Sequence, residues 1–154
     1  MVNRINAFVL LALLLVFLVT SGVLAQPAAD VTPVGRWRTF DDKTGLERGL
    51  VVIEEQAGVL TGRIAGVHDL REAADVCTAC KDARKNQPIL GMTIITGMRR
   101  HGNHWDGGEI LDPQSGSTYR CSLRLEDDGT KMIVRGYIGL SLFGRSQTWL
   151  RQAG

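Results

Sequence analysis

Between Thr118 and Glu126 the side chains of Tyr119, Cys121, Leu123 and Leu125 alternate with Thr118, Arg120, Ser122, Arg124 and Glu126. A period of two is that of a strand with one face buried and the other in water. Residues 130–138 repeat the pattern, with Met132, Val134, Gly136 and Ile138 on one face, although Ile133 and Tyr137 make the opposite face apolar in places. Further strand-length segments fall at about 35–41, 47–55, 58–67, 89–97, 104–111 and 144–151. Between segments stand Asp41 to Gly45, Gln56 to Gly58, Arg100 to Asn103, Asp112 to Gly116 and Asp127 to Gly129. In such clusters glycine supplies positive φ, proline presets φ, and aspartate bonds its own backbone, so each can reverse the chain.

The pattern predicts an all-β fold of eight strands joined mostly by hairpins. Eight strands suit a closed, antiparallel, up-and-down barrel, whose closure removes exposed sheet edges and whose interior is filled by side chains or holds one small ligand. A two-sheet sandwich would satisfy the alternation equally well; the chain ends favour the barrel. Gly35-Arg36-Trp37 opens the first strand and Gln147-Thr148-Trp149-Leu150-Arg151 closes the last. In a closed meander these strands are neighbours, and a buried tryptophan can be roofed by a guanidinium. Gly35, Trp37, Arg145, Trp149 and Arg151 are therefore the expected closure residues, with Arg145 or Arg151 over Trp37. The expected interior walls include Trp37, Ile64, Tyr119, Leu123 and Val134.

The first 25 residues follow a different order: Arg4, an apolar run from Ala7 to Val19, then Thr20-Ser21-Gly22 before Val23-Leu24-Ala25. This is the arrangement of a secretory signal peptide, with cleavage expected before Gln26. Its apolar core of about 13 residues is short of the roughly 20 that span a bilayer. Gln26 has no thiol to carry a lipid, so the expected product is soluble, without stable membrane insertion, and periplasmic or secreted. Residues 26–34 combine prolines and small residues and read as a flexible lead-in to a single domain at 35–154. Without Arg4, 17 basic side chains face 16 acidic ones, a balance that gives no electrostatic case for nucleic acid.

Gly35-x-Trp37, with an arginine on the last strand, resembles the lipocalin and calycin signature. A wider pattern is more specific: Gly-Arg-Trp-Arg-Thr-Phe-Asp-Asp-Lys-Thr-Gly at 35–45, Cys77-x-x-Cys80 followed by Pro88-Ile89-Leu90-Gly91, and Gly107-Gly108-Glu109-Ile110-Leu111-Asp112-Pro113 with Gly116 and Tyr119. Arg135-Gly136-Tyr137-Ile138-Gly139 and Gly144-Arg145-Ser146-Gln147-Thr148-Trp149 complete it. Together these resemble a bacterial exported family known as domain of unknown function 2147. The resemblance implies a lipocalin-like barrel in the bacterial envelope and brings no catalytic residues with it.

Chemistry concentrates in the long connection at about 68–88, which carries Cys77-Thr78-Ala79-Cys80. In an oxidising compartment the pair reads as a structural disulfide. Closing so short a loop gains only about 2 kcal/mol on the chain-entropy account, whereas a bridge from either cysteine to Cys121 would gain about 4 kcal/mol. Sequence leaves that pairing open, and the apolar face that Cys121 shares with Tyr119, Leu123 and Leu125 favours a buried free thiol. A redox role needs a thioredoxin-like βαβ setting that is missing from the pattern. A zinc site built with His68, His101 or His104 would lack the second thiol pair, so no metal is expected.

Nor is there a nucleophile elbow, phosphate loop or dinucleotide fingerprint, and no cofactor is expected. Lys81, Arg84 and Lys85, with Arg99 and Arg100, are interspersed with polar residues and read first as a solvated surface; the alternative is a cationic rim at one barrel mouth if the long loop folds over it. The sequence thus points to a binding module taking a small apolar or amphipathic ligand rather than to an enzyme. A cavity-free structural domain docking an envelope protein partner is the alternative. Produced in an exporting bacterium, the chain is expected to begin at Gln26, and intact-mass measurement of the purified protein checks this.

Overall fold

The computed structural model describes residues 30–68, 75–140 and 142–153; the signal segment and most of the lead-in lie outside them. Eight strands follow in order: β1 (Gly35–Phe40), β2 (Glu47–Gln56), β3 (Val59–Val67), β4 (Thr93–His101), β5 (His104–Asp112), β6 (Ser117–Glu126), β7 (Lys131–Tyr137) and β8 (Gly144–Arg151). Each pairs antiparallel with the next, and β8 returns to β1 through Trp37↔Arg151 and Arg38↔Leu150, closing the barrel. The fold is the all-β, eight-stranded, up-and-down barrel expected from the alternation.

One strand is displaced from its expected place. β4 occupies 93–101 instead of about 89–97. Residues 89–92 instead finish the long connection: the Ile89 amide donates to the Asp75 carbonyl, Gly91 to Ile64, and Met92 to Ile89. At the other end only Gly102 and Asn103 form the turn, so His101 pairs with His104 and extends the strand. A two-residue hairpin is the tightest antiparallel connection, and the cluster at 100–103 overstated its length.

Inward positions converge on one apolar cluster. Trp37, Ile53, Leu60, Ile95, Met98, Leu123 and Met132 are fully buried, and Val51, Trp105, Val134 and Trp149 nearly so. Burying each of the aliphatic side chains is worth about 1.5–3 kcal/mol. Glycines admit close neighbours: a Cβ on Gly108 would meet the Thr96 carbonyl oxygen at 2.2 Å. Ile94 and Leu111 belong to the same buried set, yet they adjoin the inward Ile95 and Ile110 and so face outward. The long connection packs on this side, with Cys77 Sγ 3.3 Å from the Pro113 carbonyl oxygen. Gly116 has room for no side chain there, because the Ala79 carbonyl oxygen lies 2.0 Å from where its Cβ would sit.

Hairpin alternation gives the barrel two distinct ends. The 57–58, 102–103 and 127–130 turns share one end with the start of β1. There the Arg151 guanidinium stacks 4.3 Å over the Trp37 ring. Its Nε donates to the Gly129 carbonyl (2.6 Å), Nη1 to Val34 (2.8 Å) and Nη2 to Thr32 (2.7 Å). Trp37 Nε1 donates to the Pro33 carbonyl at 2.7 Å, and Pro33 itself is buried. Thr32 to Val34, at the end of the segment read as a lead-in, thus lie across the barrel end and seal it. Arg145 stands elsewhere, paired with Asp42.

Lysine at 151 would keep the charge but lose the planar fork that reaches three carbonyls. Arg151→Lys is expected to destabilise by about 2 kcal/mol and Arg151→Ala by about 3 kcal/mol or more, whereas Arg145→Ala, at an exposed pair, should cost under about 1 kcal/mol. Guanidinium chloride unfolding of the three variants checks the order.

Candidate functional site at the barrel mouth

The opposite end carries the 41–46 loop, the 113–116 turn and the described residues of the long connection and of the β7–β8 loop. Its order begins with Asp41, whose Oδ1 accepts from the Lys43 amide (3.0 Å), the Thr44 amide (2.9 Å) and the Thr44 hydroxyl (3.0 Å). Those bonds from Thr44, then Lys43, hold the Asp41 carboxyl down at about 2, with a smaller contribution from Arg48. The neighbouring Asp42 carboxylate pairs with Arg145 and accepts from Gln147 Nε2 at 3.0 Å. Gln147 Oε1 in turn accepts from Trp149 Nε1 at 3.1 Å. A polar chain therefore runs from the buried Trp149 to the mouth and ties the β1–β2 loop to β8.

The same end has an open depression of about 460 Å³ lined by Lys81, Asp82, Gly116, Ser117, Thr118, Tyr119 and Ile138. Asp82 is engaged by Arg84, through side-chain and backbone bonds that lower its carboxyl to about 2. The depression thus offers one lysine, hydroxyls, an aromatic ring and an aliphatic side chain within reach of a single small molecule. Such a mixture suits a ligand with a polar or anionic head and an apolar body.

The five expected wall residues fall into two groups. Trp37, Ile64, Leu123 and Val134 are members of the packed cluster, while Tyr119 lines the depression. The cations of the alternative rim divide as well. Lys81, Arg84 and Lys85 belong to the connection at the mouth, but Arg99 pairs with Val59 next to the 57–58 turn at the sealed end, and Arg100 stacks on Trp105, 5.4 Å from its ring centroid.

Cys77 and Cys80 form a disulfide with Cα atoms 5.4 Å apart, and Cys121 is a free, buried thiol. Burial pushes the Cys121 pKa up to about 12, so it behaves as the small apolar residue its strand face suggests. His101 and His104 both contact Asp106, the latter at 3.0 Å. This group lies on the β4–β5 hairpin at the sealed end, away from the depression. His68, at the end of β3, donates its amide to the Arg48 carbonyl.

The apolar content of the mouth was missed in the sequence. Leu46, Ile138, Leu140, Leu142 and Phe143 are all exposed there. A signal existed: the β7–β8 connection, Ile138-Gly139-Leu140-Ser141-Leu142-Phe143-Gly144, lacks the Asp and Asn of the other turns. Ile138, placed by alternation on the inward face of β7, has left the strand and lies in this loop.

A family described as "Uncharacterized protein conserved in bacteria (DUF2147)" matches residues 35–151. The fold is also similar to a solved structure from the human pathogen Helicobacter pylori, protein HP1028, described as belonging to the lipocalin family. The two share 16% identity with a TM-score of 0.70, over 80% of this chain and 84% of that one. No curated protein matches the chain significantly.

Thiol counting tests the cysteine arrangement. Cys121 deprotonates only toward pH 12, and nucleophilic attack requires the thiolate, so the native protein should not react with a disulfide reagent at pH 8. Denaturation without reductant is expected to release one thiol per chain, and reduction three.

Proposed function

From a chain that belongs to the uncharacterized bacterial family DUF2147 and folds as a lipocalin-like barrel, we propose a binding module for a small amphipathic ligand held at the barrel mouth. The observation that carries this reading is the depression in which Lys81 lies beside Tyr119 and Ile138. The sealed half is filled by its own side chains, so the apolar part of a ligand contacts the upper wall and not Trp37. Its burial contributes roughly 25 cal/mol per Å², less the entropy lost on association. Lys81 selects an anionic head.

We place the protein outside the cytoplasm. The signal-like segment at 1–25 and the Cys77–Cys80 disulfide support this, since disulfides persist in oxidising compartments. A second reading is favoured by one observation, the completeness of the core around Met98, Leu123 and Met132. Eight-stranded barrels can be filled solid, and the protein would then act as a structural domain docking an envelope partner.

Calorimetric titration with a medium-chain fatty acid and with the alcohol of equal chain length distinguishes the two. The ligand reading expects saturable, one-to-one binding of the acid. Both Lys81→Glu and Tyr119→Ala should weaken it about tenfold, the scale of a lost charged hydrogen bond or apolar contact. If neither amphiphile binds and native mass spectrometry of gently purified protein shows only the bare chain, the structural reading replaces it.

A further inference from the structure

Four large apolar side chains project from a single loop at the mouth: Ile138 (69% exposed), Leu140 (68%), Leu142 (81%) and Phe143 (74%). Leu46, 69% exposed, joins them from the β1–β2 loop, which Asp42 ties to β8 through Arg145 and Gln147. A soluble surface seldom gathers so many without a function for them.

The loop is held in this form by its own bonds. The Ile138 amide donates to the Phe143 carbonyl (3.3 Å), and the Phe143 amide to the Leu140 carbonyl (3.1 Å). Arg135 braces its base, with Nη1 donating to the Ser146 hydroxyl (2.9 Å) and Nη2 to the Leu142 carbonyl (3.4 Å). The apolar side chains therefore stand outward on a folded support.

Charge around the loop decides what it meets. Asp41, Asp42 and Asp82 are each paired with an arginine, Arg48, Arg145 and Arg84, and the Asp112 carboxylate is turned to its own turn, accepting from the Gln114 amide and the Ser115 hydroxyl. Lys43 and Lys81 make no ion pair among the described residues, and Lys81 lines the same depression as Ile138. Protruding apolar side chains beside lysines match an interface of acyl chains under anionic headgroups. The apolar groups enter the headgroup boundary while the lysines stay at the charged surface.

We propose that the mouth docks reversibly on an anionic lipid bilayer through Ile138, Leu140, Leu142 and Phe143, with Lys43 and Lys81 at the headgroup level. Docking requires no ligand in the depression, so it stands whether or not the barrel carries one. Because β1 begins at the sealed end, docking leaves the amino-terminal side of the barrel turned away from the membrane.

Co-sedimentation of the mature protein with phosphatidylcholine vesicles, with and without about a third phosphatidylglycerol, tests the proposal at two salt concentrations. Binding is expected to the anionic vesicles, reduced by about an order of magnitude at high salt as screening weakens each lysine contact. The double substitution Leu142→Ser with Phe143→Ser should cut partitioning at least about tenfold by removing the inserted apolar area. Both positions are exposed, and circular dichroism and unfolding midpoints verify that the barrel is intact. Phe143→Trp, the second variant, should show a blue shift on binding and quenching by brominated acyl chains. Failure to bind, or binding unaltered by the double substitution, overturns the proposal. So does sedimentation velocity showing a dimer that the double substitution dissociates, since a second copy would then be the occupant. The fatty-acid titration reads Lys81→Glu and Tyr119→Ala in free solution, so either reading can fail without the other.

Discussion

Arg151 joins parts of the chain that the strand ladder alone would leave apart. β1 and β8 share only two paired positions, the thinnest seam in the barrel, and the Arg151 guanidinium lies across it. One face stacks on Trp37, while its edge donates to Thr32, Val34 and Gly129. A planar donor in that place satisfies carbonyls that would otherwise be capped without partners. Gly35 and Gly129 are needed beside it. Both have positive φ, +136° and +85°, and a Cβ on either would collide, with Arg151 Nη1 at Gly35 and with Val31 at Gly129.

Sealing one end makes the barrel asymmetric. Below the middle, tryptophans, methionines and leucines from opposing strands fill the interior. Toward the mouth, inward positions become Tyr119, Gly136 and Gln147, smaller or more polar, and the loops carry the exposed apolar residues. Gln147 marks the transition, bonding Trp149 on the core side and Asp42 on the mouth side. The disulfide lies in the connection that covers the outward Ile94 and Leu111, so its role is to shape that cover; a bond closing only three residues of sequence separation does little to restrain the unfolded chain.

Alternation in β6 was legible because a period of two admits one buried face, and Leu123 and Cys121 were assigned to it from the pattern alone. β4 was misplaced because its start is set by hydrogen bonds to Asp75 and Ile64, partners far away in sequence, and no local propensity reports them. The choice of Arg151 over Arg145 for the seal depended on register. Both arginines sit on β8, but Trp37 pairs with Arg151, six residues and about 20 Å along the strand from Arg145.

Sequence by itself determined the eight-strand meander, the buried face of β6 and the apolar character of Cys121. These follow from period, turn chemistry and composition, which act locally. Tertiary structure alone decided that Arg151 and not Arg145 covers Trp37, that Tyr119 parts from Trp37 and Leu123 to line the mouth, and that Ile138 leaves its strand for an exposed loop. Each of those outcomes depends on how far up the barrel a residue stands, a coordinate set by the register of all eight strands together, because closure lets none of them shift alone.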